Sequence, residues 1–342
     1  MSEDSAKKPR IHWFARLEHR LHVWRESRAR RRGRTATILP FAGYGGTGWV
    51  RVVGRVLIVP PRRRNADGEY ESIRGWRSFV GIPIGFAKVT IMISGRTHEV
   101  IADRGGVVDT VIDAELPAGW QDFTMSVEGQ APVDANAFIV AEDVEFGVLS
   151  DIDDTVMVTA LPRPFIAAWN SFVVDEHARI PVPGMAVLLE QLVRQHPGSP
   201  VIYLSTGAWN VAPTLSRFMS RHLFPTGSML LTDWGPTHER WFRSGREHKL
   251  SNLRRLAEEF PRVRWLLIGD DGQHDEAIYT EFMTDHPDSV AGVAIRQLST
   301  AEAMLAGGRA TSDHHSDDTA PWVSASDGAG LRERLTDVGI LH

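Results

Sequence analysis

Between residues 146 and 298, short apolar runs alternate with segments of helical periodicity. No other feature of the chain constrains its fold as strongly. Residues 146–149, 201–204, 229–231, 265–268 and 290–295 are apolar almost throughout. Runs this short suit strands buried on both faces of a parallel sheet. Helical patterns fill the intervals at 184–195, 211–222, 248–260 and 275–284. This alternation predicts an α/β, doubly wound, Rossmann-like parallel sheet over 146–300.

The preceding stretch has a different period. Residues 50–60 are β-rich, and 88–93, 98–102 and 110–114 alternate apolar with polar side chains. Turn signals at Asp67-Gly68, Ser94-Gly95, Gly105-Gly106 and Gly119 separate them. The pattern predicts an antiparallel β-sandwich domain over 40–145. The glycine-rich residues 41–48 lack the Gly-Lys-Ser/Thr ending of a phosphate loop and lead into a strand pattern, so they read as a plain turn. Residues 299–324 read as a loop, with Asp313 to Asp318 as a solvated polar run, and 327–335 as a last helix. Residues 301–342 thus form a flexible loop and a C-terminal helix closing on the body.

The chain opens differently again. Residues 1–34 carry 11 Lys/Arg against 4 Asp/Glu, while the whole chain has a net charge of −5. A basic tail therefore precedes an acidic body. Within a helix over 8–30, Trp13, Phe14, Leu17, Leu21 and Trp24 fall on an arc of roughly 100°. Arg16, Arg20, Arg25, Arg28 and Arg30 lie mostly outside it. Such a helix suits an anionic membrane surface. Packing on the body is the plainer alternative. The run from Arg28 to Arg34 offers charges to nucleic-acid phosphates, but no stacking platform or zinc-finger spacing accompanies it, and no nucleic acid partner is expected.

Composition excludes several chemistries. There is no cysteine among the 342 residues, which removes disulfides, thiolate metal sites and cysteine nucleophiles. No apolar run approaches the roughly 20 residues of a spanning helix, and the N-terminus lacks a signal-peptide core. The expectation is a cytoplasmic protein, peripheral on the inner face of the membrane.

In an open α/β sheet, ligands bind beyond the carboxyl ends of the strands. Ser150-Asp-Ile-Asp-Asp-Thr155 follows the first run, Ser205-Thr-Gly-Ala-Trp-Asn210 the second, and Gly269-Asp-Asp-Gly-Gln-His-Asp275 the fourth. His248-Lys249 opens the helix before that fourth strand. Several carboxylates on one rim repel one another unless a cation sits among them, and an all-oxygen set favours Mg²⁺. A divalent cation, a hydroxyl and a lysine together can neutralise a phosphoryl group. One aspartate can then attack phosphorus, and a second, two residues on, can act as acid and base. Asp-x-Asp-x-Thr alone is a weak signal, since an Asx-rich turn capping a helix has the same residues. Its place after an apolar strand, with three partners following in order, gives it chemical meaning.

This ordered set resembles the haloacid dehalogenase superfamily of aspartate-dependent phosphatases. Residues 146–156, Arg179 to Gly184, Ser205 through Asn210, His248-Lys249 and 268–279 narrow the resemblance to the actin-patch type of phosphatidate phosphatase, whose catalytic domain is also met in bacterial proteins. The resemblance implies a haloacid dehalogenase-like fold and Mg²⁺-dependent hydrolysis of phosphatidic acid to diacylglycerol and phosphate. Asp151 would be the nucleophile and Asp153 the acid/base, with its carbonyl also a metal ligand. Thr155 would support the loop, Ser205 hold a phosphoryl oxygen and Lys249 balance charge. Asp270 would bind Mg²⁺, with Asp275 or Asp271 as partner. Asp271 departs from the small residue the family places there, Thr206-Gly-Ala208 from its serine- and proline-rich loop, and His274 from its lysine.

Arg179 is either a phosphate clamp or a surface ion pair. Thr206 and Asn210 flank the substrate pocket, and Asn210 reads more readily as a cap for the following helix. Two other functions use the same residues differently. One is a phosphatase of a soluble phosphomonoester or phosphoprotein. The other is a non-catalytic membrane or protein adaptor.

Overall fold

The computed structural model describes residues 35–59, 81–158, 180–232, 238–272, 274–306 and 320–342. The expected helix over 8–30, Arg179 and the polar run at 313–318 lie outside these residues.

Eight strands build the first sheet. They are β1 (Thr35–Gly46), β2 (Trp49–Val59), β3 (Ile82–Pro83), β4 (Lys88–Ile93), β5 (Arg96–Ile101), β6 (Val107–Asp113), β7 (Gly119–Val127) and β8 (Val133–Val140). They pair as one continuous ladder, β3-β2-β1-β8-β7-β4-β5, with β6 also on β2. The sequence predicts an antiparallel sandwich. All pairs are antiparallel except β1 with β8, where Gly43–Gly46 lies parallel to Ala137–Val140. Inward side chains of β1, β2, β4, β6, β7 and β8, among them Ile38, Val52, Ile91, Ile112, Met125 and Ile139, meet in a single core, so the sheet closes over its own apolar face.

The glycine-rich stretch read as a turn is strand up to Gly46, with a register shift between Phe41 and Tyr44. Only Thr47 and Gly48 form the turn. The glycines are needed for close backbone approach. A Cβ on Gly43 would sit 2.3 Å from the Arg51 carbonyl oxygen, and one on Gly45 2.2 Å from that of Trp49.

A six-stranded sheet follows. Its strands are β9 (Phe146–Asp151), β12 (Val201–Ala208), β13 (Ser228–Thr232), β14 (Arg264–Asp270), β15 (Val290–Arg296) and β16 (Trp322–Ala325). The two-residue strands β10 (Met157–Val158) and β11 (Ile180–Pro181) pair separately. The spatial order is β13-β12-β9-β14-β15-β16, and every pair is parallel. The order runs one way from β9 to β13 and the other way from β14 to β16. A crevice for ligand opens where such an order reverses, beyond the carboxyl ends of the strands. Here that point lies between β9 and β14.

Alternate residues of these strands feed two cores. Val148, Tyr203, Leu266 and Ile268 pack with helices α1 (Met185–Gln195), α2 (Ala212–Arg221) and α6 (Gly328–Asp337). Leu149, Ile202, Leu204, Trp265 and Leu267 pack with α3 (His238–Glu259) and α4 (Asp275–Asp285). Burial on both faces explains why the strands are apolar without alternation.

Three boundaries differ from expectation. Helix α3 begins at His238 rather than 248, because residues 238–247 hold only Trp241 and Phe242 as large apolar side chains and include Gly245, so a sustained apolar period starts only at Leu250. Two elements stand inside 299–324, α5 (Thr300–Ala306) and β16. β16 has only four residues, too few to show a period, and is defined by its pairing with β15. The last helix is capped as the sequence suggests, with the Asp327 carboxylate accepting from the Gly330 N–H at 2.9 Å.

The two sheets share cores. Phe41, Val53 and Val107 of the first sheet lie in the cluster formed by β9, α1 and α2. Tyr44 and Val140 lie in that of α3 and α4. The Ser228 hydroxyl donates to the Gly43 carbonyl across the boundary at 2.7 Å.

Candidate active site

Apolar strands carry polar residues only at their ends, and two such ends meet at the reversal point. Asp151 is the last residue of β9 and Asp270 the last of β14. Asp275 opens α4, five residues on. One carboxylate oxygen from each of the three lies within 4.8 Å of the others, and all three residues are buried.

Lys249 reaches this cluster from α3. Its ammonium Nζ is 2.7 Å from Asp151 Oδ1 and 2.5 Å from Asp275 Oδ1. Burial alone would lower the lysine's pKa, but the two carboxylates outweigh it and hold the ammonium charged well above its ordinary range. Burial pushes the Asp151 carboxyl up. Lys249 opposes this, and Asp275, Asp153 and Asp270 add to it. Asp270 moves up for the same first reason, with Asp275 next and the Gly272 N–H opposing. Fully ionised, three clustered carboxylates against one ammonium would carry an excess of two negative charges, which burial opposes in the absence of a cation. That excess matches a divalent cation. Asp270 Oδ1 accepts from Gly272 N at 2.7 Å, while its buried Oδ2 has no hydrogen-bond partner among the described residues. Asp151, Asp270 and Asp275 therefore fit a hard cation of the Mg²⁺ kind.

A second group stands beside the first. The Ser205 hydroxyl donates to Asp153 Oδ2 at 2.9 Å and accepts from Gly207 N at 2.9 Å. The carbonyls of Thr206 and Gly207 accept from Thr232 Oγ1 at 3.0 and 3.3 Å, which ties this loop to the end of β13. Asp154 takes a left-handed backbone (φ 58°), so the chain turns sharply directly after Asp153. Its N–H donates to the Met157 carbonyl at 2.8 Å, and its carbonyl accepts from Arg296 Nη1 at 2.7 Å.

The structure thus brings together Asp151, Asp153, Ser205, Lys249, Asp270 and Asp275. Asp271 is placed apart. Its Oδ1 accepts from the Leu298 N–H at 2.8 Å, and it is not among the three clustered carboxylates. Adjacent residues leaving a strand point to opposite faces, so Asp270 and Asp271 do not share one site. Thr155 is fully buried under the turn, and its hydroxyl has no partner among the described residues. Asn210 lies within a 3₁₀ turn, Trp209–Val211, rather than at the flank of α2, which is Val211. Trp209 packs, stacked on Phe41 with centroids 4.9 Å apart.

Two contributors were not singled out from sequence. Arg296 ends β15 and holds both the Asp154 carbonyl and Glu302 Oε1, each at 2.7 Å. The sequence marks His248 only as the neighbour of Lys249. Burial pushes its imidazole down to about 4, against the opposing Leu230 carbonyl. The unfolded chain therefore takes up a proton near pH 6.5, and the folded chain only near 4. Stability from this group is complete above pH 6.5 and is lost as pH falls toward 4, by at most about 3 kcal/mol. Urea denaturation at pH 6.5 and 4.0 should show a smaller acid loss in His248→Asn than in the unsubstituted chain. Equal losses would refute this account.

Residues 146–297 match the family model "Phosphatidate phosphatase APP1, catalytic domain". The chain is similar to phosphatidate phosphatase APP1 of Saccharomyces cerevisiae, at 23% identity over 158 residues, which cover 45% of this chain and 26% of the relative. It is also similar to an uncharacterized protein of Schizosaccharomyces pombe, at 25% identity over 160 residues, covering 44% of this chain and 25% of the relative. The chain thus matches about a quarter of the length of these curated relatives. Among solved structures, a carbohydrate acetylesterase from Xanthomonas citri overlaps 80% of this chain and 73% of its own at 10% identity. Its TM-score of 0.28 is too low to carry an argument.

Proposed function

We propose that the chain is a phosphoric monoester hydrolase acting on phosphatidic acid through an aspartyl-phosphate, on a haloacid dehalogenase-like scaffold. The observation that carries this reading is the ammonium of Lys249 held between Asp151 and Asp275 at the end of β9, with Asp153 and Ser205 beside it. The match of residues 146–297 to a phosphatidate phosphatase catalytic domain supports the substrate class.

In this reading a carboxylate oxygen of Asp151 attacks phosphorus. The bond to the leaving alcohol breaks as Asp153 gives that oxygen a proton. Asp153 then takes a proton from water, which attacks phosphorus and frees phosphate and Asp151. The Gly207 N–H holds Ser205 Oγ, and the hydroxyl proton, which goes to Asp153 in this structure, turns to a phosphoryl oxygen when substrate is bound. Lys249 compensates charge as it builds on the transferring group. A Mg²⁺ held by Asp151, Asp270 and Asp275 would supply Lewis-acid charge neutralisation. We assign contact with anionic lipid to residues 8–34, on their charge and apolar arc.

The test is phosphate release from phosphatidic acid in mixed micelles, with Mg²⁺ and with chelator, beside an aryl phosphate. Mg²⁺-dependent release from the lipid is expected, and added salt should depress it more than aryl phosphate turnover. Turnover of the aryl phosphate alone would keep the chemistry and reject the lipid. Turnover of neither would reject the enzyme.

A further inference from the structure

Helix α3 carries a polar stripe. His248, Asn252, Arg255 and Glu259 recur at intervals of four, three and four residues, which puts them within an arc of about 60°. The stripe faces the first sheet. At its far end Glu259 accepts from Tyr44 Oη at 2.7 Å and from Arg51 Nη2 at 2.5 Å. Arg51 also donates to Asp109 Oδ1 at 2.6 Å, and Arg255 Nη1 lies 3.6 Å from Asp109 Oδ2. Arg255 Nη2 donates to Asn252 Oδ1 at 2.6 Å. Asn252 Nδ2 donates to the His248 carbonyl at 2.7 Å and lies 3.2 Å from the ring Nδ1. The His248 ring Nε2 is 3.4 Å from the carbonyl oxygen of Leu230, the middle residue of β13. The chain of contacts ends one residue from Lys249.

We propose that the first sheet sets the position of the Lys249 ammonium through this chain, with Asp109, Arg255, Asn252 and His248 as positioning residues. The proposal rests on the reading of Lys249 as a group of the phosphoryl site. The physical reason is directionality. The apolar side of α3, with Leu250, Leu253, Leu256 and Ala257, is attracted to the core without a preferred rotation or axial offset. Directional contacts to fixed partners impose both: Glu259 with Tyr44 and Arg51, the Arg255–Asp109 ion pair, and the His248 ring against the Leu230 carbonyl. The bonds among Arg255, Asn252 and His248 hold the stripe's own side chains in place. Lys249 must meet two carboxylates at once, so a small rotation of α3 breaks one contact. An ion pair with a partner as exposed as Asp109 adds little net stability, so its effect is on orientation. The first sheet is then part of the catalytic body and not an appended module.

The test uses the full chain with Arg255→Met and, at the other end of the link, Asp109→Asn. Arg255→Met leaves Asp109 its partner Arg51, so no buried charge is orphaned. Two readouts are taken. The first is the ¹⁵N–¹H signal of the Lys249 ammonium, assigned by its loss in Lys249→Met. The second is kcat and KM on an aryl phosphate. The ammonium signal should shift or exchange away in both variants while amide signals outside α3 stay in place. kcat should fall about 10- to 100-fold, the scale of a misplacement near 1 Å, with KM changed less than about two-fold. In a Lys249→Met background Arg255→Met should cost nothing further. An unmoved ammonium signal, amide changes spread over the whole chain, or equal losses in both backgrounds would overturn the proposal. If Lys249 responds as expected but the unsubstituted chain hydrolyses no phosphate ester, positioning stands and the phosphatase reading falls.

Discussion

Asp151→Asn should lower kcat on an aryl phosphate by at least about 10⁴-fold, the scale seen when a covalent nucleophile is removed. Asparagine keeps the shape of the side chain but cannot attack as an anion. The same change should be gentle on the fold. Burial already pushes Asp151 toward its neutral form, and Lys249 keeps Asp275 at 2.5 Å when Asp151 loses its charge. Unfolding in chelator should therefore be no easier than for the unsubstituted chain. Rapid quenching with ³²P-labelled substrate should trap a hydroxylamine-sensitive label on the unsubstituted chain and none on the variant. Turnover within tenfold of the original, or a label of the same kind on the Asp151→Asn chain, would remove Asp151 from the reaction.

Lys249→Met is expected to have the largest effect on stability. It removes the ammonium facing Asp151 and Asp275 and leaves buried carboxylates without their compensating charge. Breaking one side of such a pair costs about 3–5 kcal/mol. The loss should depend on pH. Asp151 and Asp270 already sit above the ordinary carboxylate range in the folded chain, so protonation there favours the folded state. Without the lysine they rise further, and the deficit measured by urea denaturation in chelator should be largest near pH 7.5 and shrink by pH 5. A deficit equal at both pH values would show that lost packing, not charge, is responsible. kcat should fall as well, by about 10²- to 10³-fold, the scale for removing one electrostatic stabiliser.

Much of the site was legible in the residues. Asp151 and Asp270 stand at the ends of apolar runs, where a parallel sheet exposes its polar rim, and the expected strands at 146–149 and 265–268 fall inside β9 and β14. The choice between Asp271 and Asp275 was not legible, since both follow β14 within five residues. Only the direction of each side chain, one into the cluster and one onto the Leu298 N–H, separates them. The stripe His248, Asn252, Arg255, Glu259 was readable as a period, but what it faces was not. A polar stripe at helical spacing reads as a solvated face until a partner such as Asp109 is placed against it.

The same division runs through the fold. Local chemistry determined where the five long strands of 146–300 lie, because burial on two faces demands unbroken apolar runs, though not where α3 begins. It also determined which carboxylates, hydroxyl and ammonium are available at their ends. Tertiary structure alone decided the parallel pairing of Gly43–Gly46 with Ala137–Val140, the addition of β16 and the meeting of α3 with the first sheet. These are contacts between segments distant in sequence, and neither residue period nor local propensity carries the position of a remote partner.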